Sequence, residues 1–134
     1  MTDKPKIKKI LLIDDDPTQI KFLDKRLKEN NFEITTSIDA AEGLKIAMGR
    51  PFDLIILDVM MPIINGYNLC RLLKTIDQKK NIPILLLTSR NDLDDIKIGR
   101  EMGADAYLTK PVSMQELLKT IRVLEAISDK PESK

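Results

Sequence analysis

A chain of 134 residues, 43% apolar and 32% charged, is long enough for one domain with one core and needs no covalent staples. Its 22 basic and 21 acidic residues leave a net charge of +1, which argues against a large electrostatic footprint for nucleic acid or anionic membrane. With no histidine and one cysteine, Cys70, there is no internal disulfide and almost nothing to ligate zinc or haem, so a reducing compartment and a hard, oxygen-bound cation are the expectations.

The apolar run Ile10–Ile13 follows a basic lead but is too short for a signal peptide, and no stretch approaches the ~20 apolar residues that span a bilayer. A cytoplasmic chain is expected. That same run reads as a first buried strand ending at Asp14-Asp15-Asp16. Asp16 before Pro17 is a helix N-cap, with Gln19 placed for a capping box, and Ile20, Leu23 and Leu27 form the apolar stripe. Phe32 to Ser37 alternates and is β-branched, predicting a second strand near a sheet edge. Asp39 caps a weaker helix through Ala40, Ala41, Leu44, Ala47 and Met48, closed by Gly49 and Pro51.

Leu54-Ile55-Ile56-Leu57 runs straight into Asp58 and reads as a strand buried on both faces, as in a parallel sheet. Asn65 then caps a helix carrying Leu69, Leu72, Leu73 and Ile76. Ile84–Leu87 is a fourth buried strand, ending at Thr88-Ser89. A helix from about Asp92 to Met102 is stopped by Gly103, and a short strand, Ala106 to Thr109, ends at Lys110-Pro111. Ser113 with Glu116, and Val112 with Leu117, supply a capping box and a hydrophobic staple for a last helix that buries Leu117, Leu118, Ile121 and Leu124. Residues 1–6 read as a polar lead, 7–127 as the domain, and 128–134 as a polar tail or the start of a linker.

Strand and helix therefore alternate five times, which predicts a doubly wound α/β fold with a five-stranded parallel sheet. Ligands of open α/β sheets bind beyond the carboxyl ends of the strands. The chain delivers Asp14, Asp15, Asp58, Thr88, Ser89 and Lys110 to that edge. Like charges ~4 Å apart cost about 4 kcal/mol per pair at an effective dielectric near ~20, so three carboxylates need a cation or a raised pKa. Mg²⁺ suits them, Lys110 adds a mobile positive charge and Thr88 a hydroxyl, which together make a site for a phosphoryl group. Taken singly, Thr88-Ser89 reads as a turn opener, Lys110-Pro111 as an ordinary turn, and Cys70 as a packed apolar group with no histidine to activate it.

Four stretches in this order resemble the response regulator receiver domain of two-component signalling, a CheY-like superfamily: Leu12–Pro17, Leu57–Pro62 with Asn65-Gly66, Leu87-Thr88-Ser89, and Gly103–Pro111. The resemblance spans residues 7 to 127. It implies a flavodoxin-like sheet of order 2-1-3-4-5. It further implies that Asp58 takes a phosphoryl group from the phosphohistidine of a histidine kinase or histidine phosphotransfer protein. By the same resemblance Asp14, Asp15, Asp58 and the Met60 backbone carbonyl hold Mg²⁺, Lys110 pairs with the phosphoryl oxygens, and its bond to Pro111 is cis. Thr88 and Tyr107 are the switch residues, coupling the site to a partner-binding face built from the fourth helix, last strand and last helix. Such a domain is a signalling module, not an enzyme, beyond its self-catalysed phosphotransfer and dephosphorylation.

Three features depart from common receiver patterns. Asn65 replaces a frequent Asp, and Ala106 and Thr120 stand where receivers fused to winged-helix DNA-binding domains carry a dimerising aspartate and arginine. Met60 and Arg90 flank the expected path of the attacking water, and their bulk suggests slow hydrolysis of the phosphoryl group. Two other readings are an unphosphorylated scaffold with this fold and an aspartate-nucleophile phosphatase. The second wants an acid two residues after its nucleophile, where this chain has Met60.

Overall fold

In the computed structural model, which describes residues 7–61, 65–76, 78–89 and 93–128, every apolar run named above becomes a strand. The strands are β1 (Lys9–Ile13), β2 (Glu33–Ser37), β3 (Leu54–Asp58), β4 (Ile84–Thr88) and β5 (Ala106–Thr109). Between and after them lie α1 (Pro17–Glu29), α2 (Ala40–Gly49), α3 (Gly66–Lys74), α4 (Leu93–Glu101) and α5 (Met114–Ser128). All strands pair in parallel, in the order β2-β1-β3-β4-β5. This is the doubly wound, flavodoxin-like sheet.

Period-two alternation sends the side chains of β1, β3, β4 and β5 into two separate cores. Ile10, Leu12, Leu54, Ile56, Leu85 and Leu87 pack under Ile20, Leu23 and Leu27 of α1 and Leu117, Ile121 and Leu124 of α5. Leu11, Ile13, Ile55, Leu57, Ile84 and Leu86 face the other way, toward α2 and α3 and Met102 just beyond α4. The apolar residues of β3 and β4 are all fully buried, each contributing about 1.5–3 kcal/mol of burial, so the central strands are the rigid base of the site.

The helix starts are fixed by side-chain oxygens that accept orphan backbone amides. Asp16 accepts from the Thr18 amide at 3.0 Å and Asp39 from the Glu42 amide at 3.0 Å. Asn65 accepts from the Asn68 amide at 2.9 Å and Ser113 from the Glu116 amide at 3.1 Å. Beyond α4, Gly103 takes φ +97°, a left-handed conformation that favours glycine.

Two inward faces differ from the apolar stripes read in the sequence. On α3 the buried set is Gly66, Tyr67, Leu69, Cys70 and Leu73, and Leu72 points to solvent. On α2 it is Ala40, Gly43 and Ala47, and Met48 is exposed. The reason is a close approach: a Cβ at Gly43 would lie 2.5 Å from Ile13 Cδ1, so the helix contacts the sheet through a residue with no side chain. Smaller differences are that β2 begins at Glu33 and α5 runs on to Ser128. Residues 1–6, Pro62, Arg90, Asp92 and 129–134, which carried expectations above, lie outside the described residues. Among the described residues no helix is long and apolar enough to cross a membrane.

Candidate functional site

Strand parity decides which polar groups meet. Ile13 pairs with Leu57 and Asp58 with Leu87, so Asp14 and Asp58 follow one another across neighbouring strands at the carboxyl edge. Both continue the Ile10-Leu12 and Leu54-Ile56 series, and Lys110 continues the Ala106-Leu108 series, all on the face that α1 and α5 cover. The result is a close triad: Lys110 Nζ stands 3.0 Å from Asp14 Oδ2 and 3.1 Å from Asp58 Oδ1.

The backbone holds these groups firmly. The Asp14 amide donates to Ser37 O at 3.1 Å, the Val59 amide to Leu87 O at 2.8 Å, and the Lys110 amide to Thr88 O at 2.6 Å. Asp14 also accepts the Asp16 amide at 2.9 Å, which ties the acidic turn to the start of α1. The peptide between Lys110 and Pro111 is cis.

Asp14 is 0% exposed and Asp58 4%, a costly place for two carboxylates. Burial pushes the Asp58 carboxyl up to about 6, the charge on Asp14 adds to that, and hydrogen bonds from Lys110 and the Met60 amide offset only part of it. Burial draws the Lys110 ammonium down, but its bonds to Asp14 and Asp58 and their charges outweigh this and hold it above its ordinary value. One lysine thus serves two acids, and the site keeps an excess of negative charge.

Asp15 is exposed and completes an acidic cluster. One oxygen from each of Asp14, Asp15 and Asp58 lies within 4.8 Å of the others. An octahedron with Mg–O bonds near ~2.1 Å spans about 4.2 Å between opposite ligands, so small side-chain movements would let this all-oxygen set hold a hard cation. Cys70 is no competitor. It is buried on α3, and burial pushes its thiol up to about 12.

Thr88 is fully buried at the end of β4, level with Thr109. Tyr107 lies on the same sheet face, two residues before Thr109 and level with Leu86. The Met60 side chain is exposed beside Asp58. Two residues of the site region were not singled out in the sequence as more than motif or helix. Gly66 donates its amide to Val59 O at 2.9 Å, and a Cβ there would collide with the carbonyl oxygen of Asp58. Tyr67 is buried, with its hydroxyl 3.3 Å from that of Tyr107. A tyrosine on the inward stripe of a helix is the available signal, because its hydroxyl needs a partner.

The sequence and the fold resemble those of known proteins. The family model of the response regulator receiver domain matches residues 10–122. Response regulator ArlR of Staphylococcus aureus is 37% identical over 115 residues, covering 86% of this chain and 51% of that protein. The chain therefore spans about half the length of the curated relatives it matches. The signal receiver domain of a signal transduction histidine kinase from Syntrophus aciditrophicus has a TM-score of 0.84 and 34% identity, covering 95% of this chain and 96% of that one. Chemotaxis protein CheY4 of Vibrio cholerae has a TM-score of 0.84 and 31% identity, covering 88% and 98%. The chain belongs to the response regulator receiver domain family of two-component systems.

Proposed function

We propose that the chain is a phosphoacceptor switch whose nucleophile is Asp58. A carboxylate oxygen of Asp58 attacks the phosphorus of a phosphohistidine on a histidine kinase or histidine phosphotransfer protein. The P–N bond breaks, and the departing imidazole takes a proton from solvent. Lys110 turns from the Asp58 carboxylate to an oxygen of the new phosphoryl group, keeping its second bond to Asp14. Asp14, Asp15, Asp58 and the Met60 carbonyl are the groups that would hold Mg²⁺, which supplies positive charge to the phosphoryl oxygens.

The observation that carries this reading is the buried Asp58 carboxyl, 4% exposed at a strand end with an ammonium 3.1 Å away and a second acid beyond it. A structural ion pair has no need of the extra negative charge. Thr88 then donates to the phosphoryl group and Tyr107 follows it, which shifts a pre-existing equilibrium on the α4–β5–α5 face toward the form that binds a downstream partner or output domain. The exposed Met60 crowds the approach of water to Asp58 and slows hydrolysis. The buried free thiol of Cys70 supports a reducing, cytoplasmic site of action.

Intact mass after incubation with acetyl phosphate tests this. One phosphoryl adduct is expected on the native chain with Mg²⁺, and none with chelator or on Asp58→Ala. An adduct that persists on Asp58→Ala would refute the assignment.

A further inference from the structure

Resting on the switch reading above, we infer that Tyr67 is a positioning residue for Tyr107, and that its hydroxyl latches the resting arrangement of β5 to the backbone of the phosphoacceptor. The two phenol oxygens are 3.3 Å apart, although the residues lie forty positions apart in sequence. Tyr67 belongs to the first turn of α3, directly after Gly66. That turn is seated on Asp58 itself, through the Gly66 amide bond to Val59 O at 2.9 Å and through a contact so close that no Cβ fits at Gly66. Tyr67 therefore reports the position of the Asp58–Val59 backbone.

At the other end, Tyr107 lies in a notch that α4 leaves for it. A Cβ at Gly99 would come 3.1 Å from Tyr107 Cδ2 and 3.3 Å from Leu86 Cδ1. The Tyr107 ring also walls a cavity of about 270 Å³ lined by Arg100, Ala104, Asp105 and Ala106. Moving this ring reshapes that cavity, and the Tyr67 hydroxyl is one of the groups that hold it. The chain of contact runs from Asp58 through Gly66 and Tyr67 to Tyr107, on α3, and does not pass through Thr88 on β4.

We take the arrangement described here, with the two hydroxyls 3.3 Å apart, as the resting one, so a turn of Tyr107 away from Tyr67 breaks the bond. Removing the hydroxyl removes that opposition to switching. By linkage, whatever favours the resting form weakens binding of a phosphoryl mimic, and its loss strengthens binding by the same factor.

The test is a double-mutant cycle of Tyr67→Phe and Tyr107→Phe, titrated with beryllium trifluoride in Mg²⁺ by calorimetry. Tyr67→Phe keeps the buried ring and removes one oxygen. It is expected to bind the mimic about fivefold more tightly, the factor equivalent to one hydrogen bond, and to have no such effect in the Tyr107→Phe background. The protein has only two tyrosines, so ring carbon NMR of Tyr67→Phe reads Tyr107 alone and is expected to show it displaced before any mimic is added. An unchanged affinity, or an equal change in both backgrounds, overturns the latch while leaving the receiver reading intact. Failure of the native chain to bind the mimic overturns both.

Discussion

The Lys110 ammonium lies 3.1 Å from the Asp58 carboxylate, yet the carboxyl is still held near 6, because burial and Asp14 together outweigh the lysine. Substitutions at these two positions therefore act on stability with opposite sign. Asp58→Asn removes a buried charge and is expected to stabilise the metal-free protein at pH 7 by roughly 1–3 kcal/mol. Lys110→Ala leaves two buried acids facing one another and is expected to destabilise it by about 1–3 kcal/mol, softened by partial protonation of Asp58. Urea denaturation of both variants without Mg²⁺ checks the pair of signs.

Stability should depend on pH through the same group. Asp58 titrates near ~3.9 when unfolded and about 6 when folded, so between those values the folded state binds more protons. Its contribution is fully present below pH ~4 and is lost as pH rises through about 6, with a total near ~3 kcal/mol. The difference between native and Asp58→Asn denaturation curves isolates it. That difference is expected to move steadily in favour of the variant across this window and to level off above it.

Mg²⁺ should reverse the trend. A cation that binds only the folded, ionised cluster stabilises by about 1.4 kcal/mol at ten times its dissociation constant. Its apparent affinity falls as protons compete for Asp58 below pH 6. Thermal melts against Mg²⁺ concentration at pH 5 and pH 7.5 measure this, and Asp14→Asn is expected to remove most of the effect.

Gly66→Ala is expected to damage fold and function together. The added methyl meets the Asp58 carbonyl oxygen, and its next neighbour, Val59 Cα, would be 2.9 Å away. Either α3 shifts or the Asp58 backbone does, for a loss of about 2–3 kcal/mol. Phosphoryl incorporation from acetyl phosphate should slow in the variant, even at temperatures where it remains folded.

At the opposite edge of the sheet, Asp105 accepts the Lys74 ammonium at 2.7 Å and the buried Ile84 amide at 2.8 Å. Lys74 also donates to Ile82 O at 2.9 Å, so the pair fastens α3 to the starts of β4 and β5. Asp105→Ala strands the Ile84 amide and is expected to lose about 1–2 kcal/mol, chiefly from that amide and less from the partly exposed ion pair. Rates of phosphoryl incorporation should be unchanged, which separates this bond from the functional site.

Much of the site was legible because the relevant sequence signals are local. An apolar run of four ending in a carboxylate places Asp58 at a strand end, and the same pattern places Asp14. The caps at Asp16, Asp39, Asn65 and Ser113 were equally plain. What escaped is contact between elements distant in sequence. Leu72 resembles its neighbours in composition, and only the seating of α3 on Asp58 turns it outward. Gly43 carries no apolar signal, yet its missing side chain decides which face of α2 meets Ile13. The Tyr67–Tyr107 pair, and the role of Asp105 between Lys74 and Ile84, require the parallel register of β4 and β5 to be known first.

Chemical trapping tests whether Asp58 carries the phosphoryl group. Borohydride reduces an acyl phosphate to an alcohol, so an aspartyl phosphate becomes homoserine, which peptide mass spectrometry can locate. After phosphorylation in Mg²⁺, homoserine is expected at position 58 and at no other aspartate. Homoserine at Asp14 or Asp15, or a phosphoryl adduct that yields none, would contradict it.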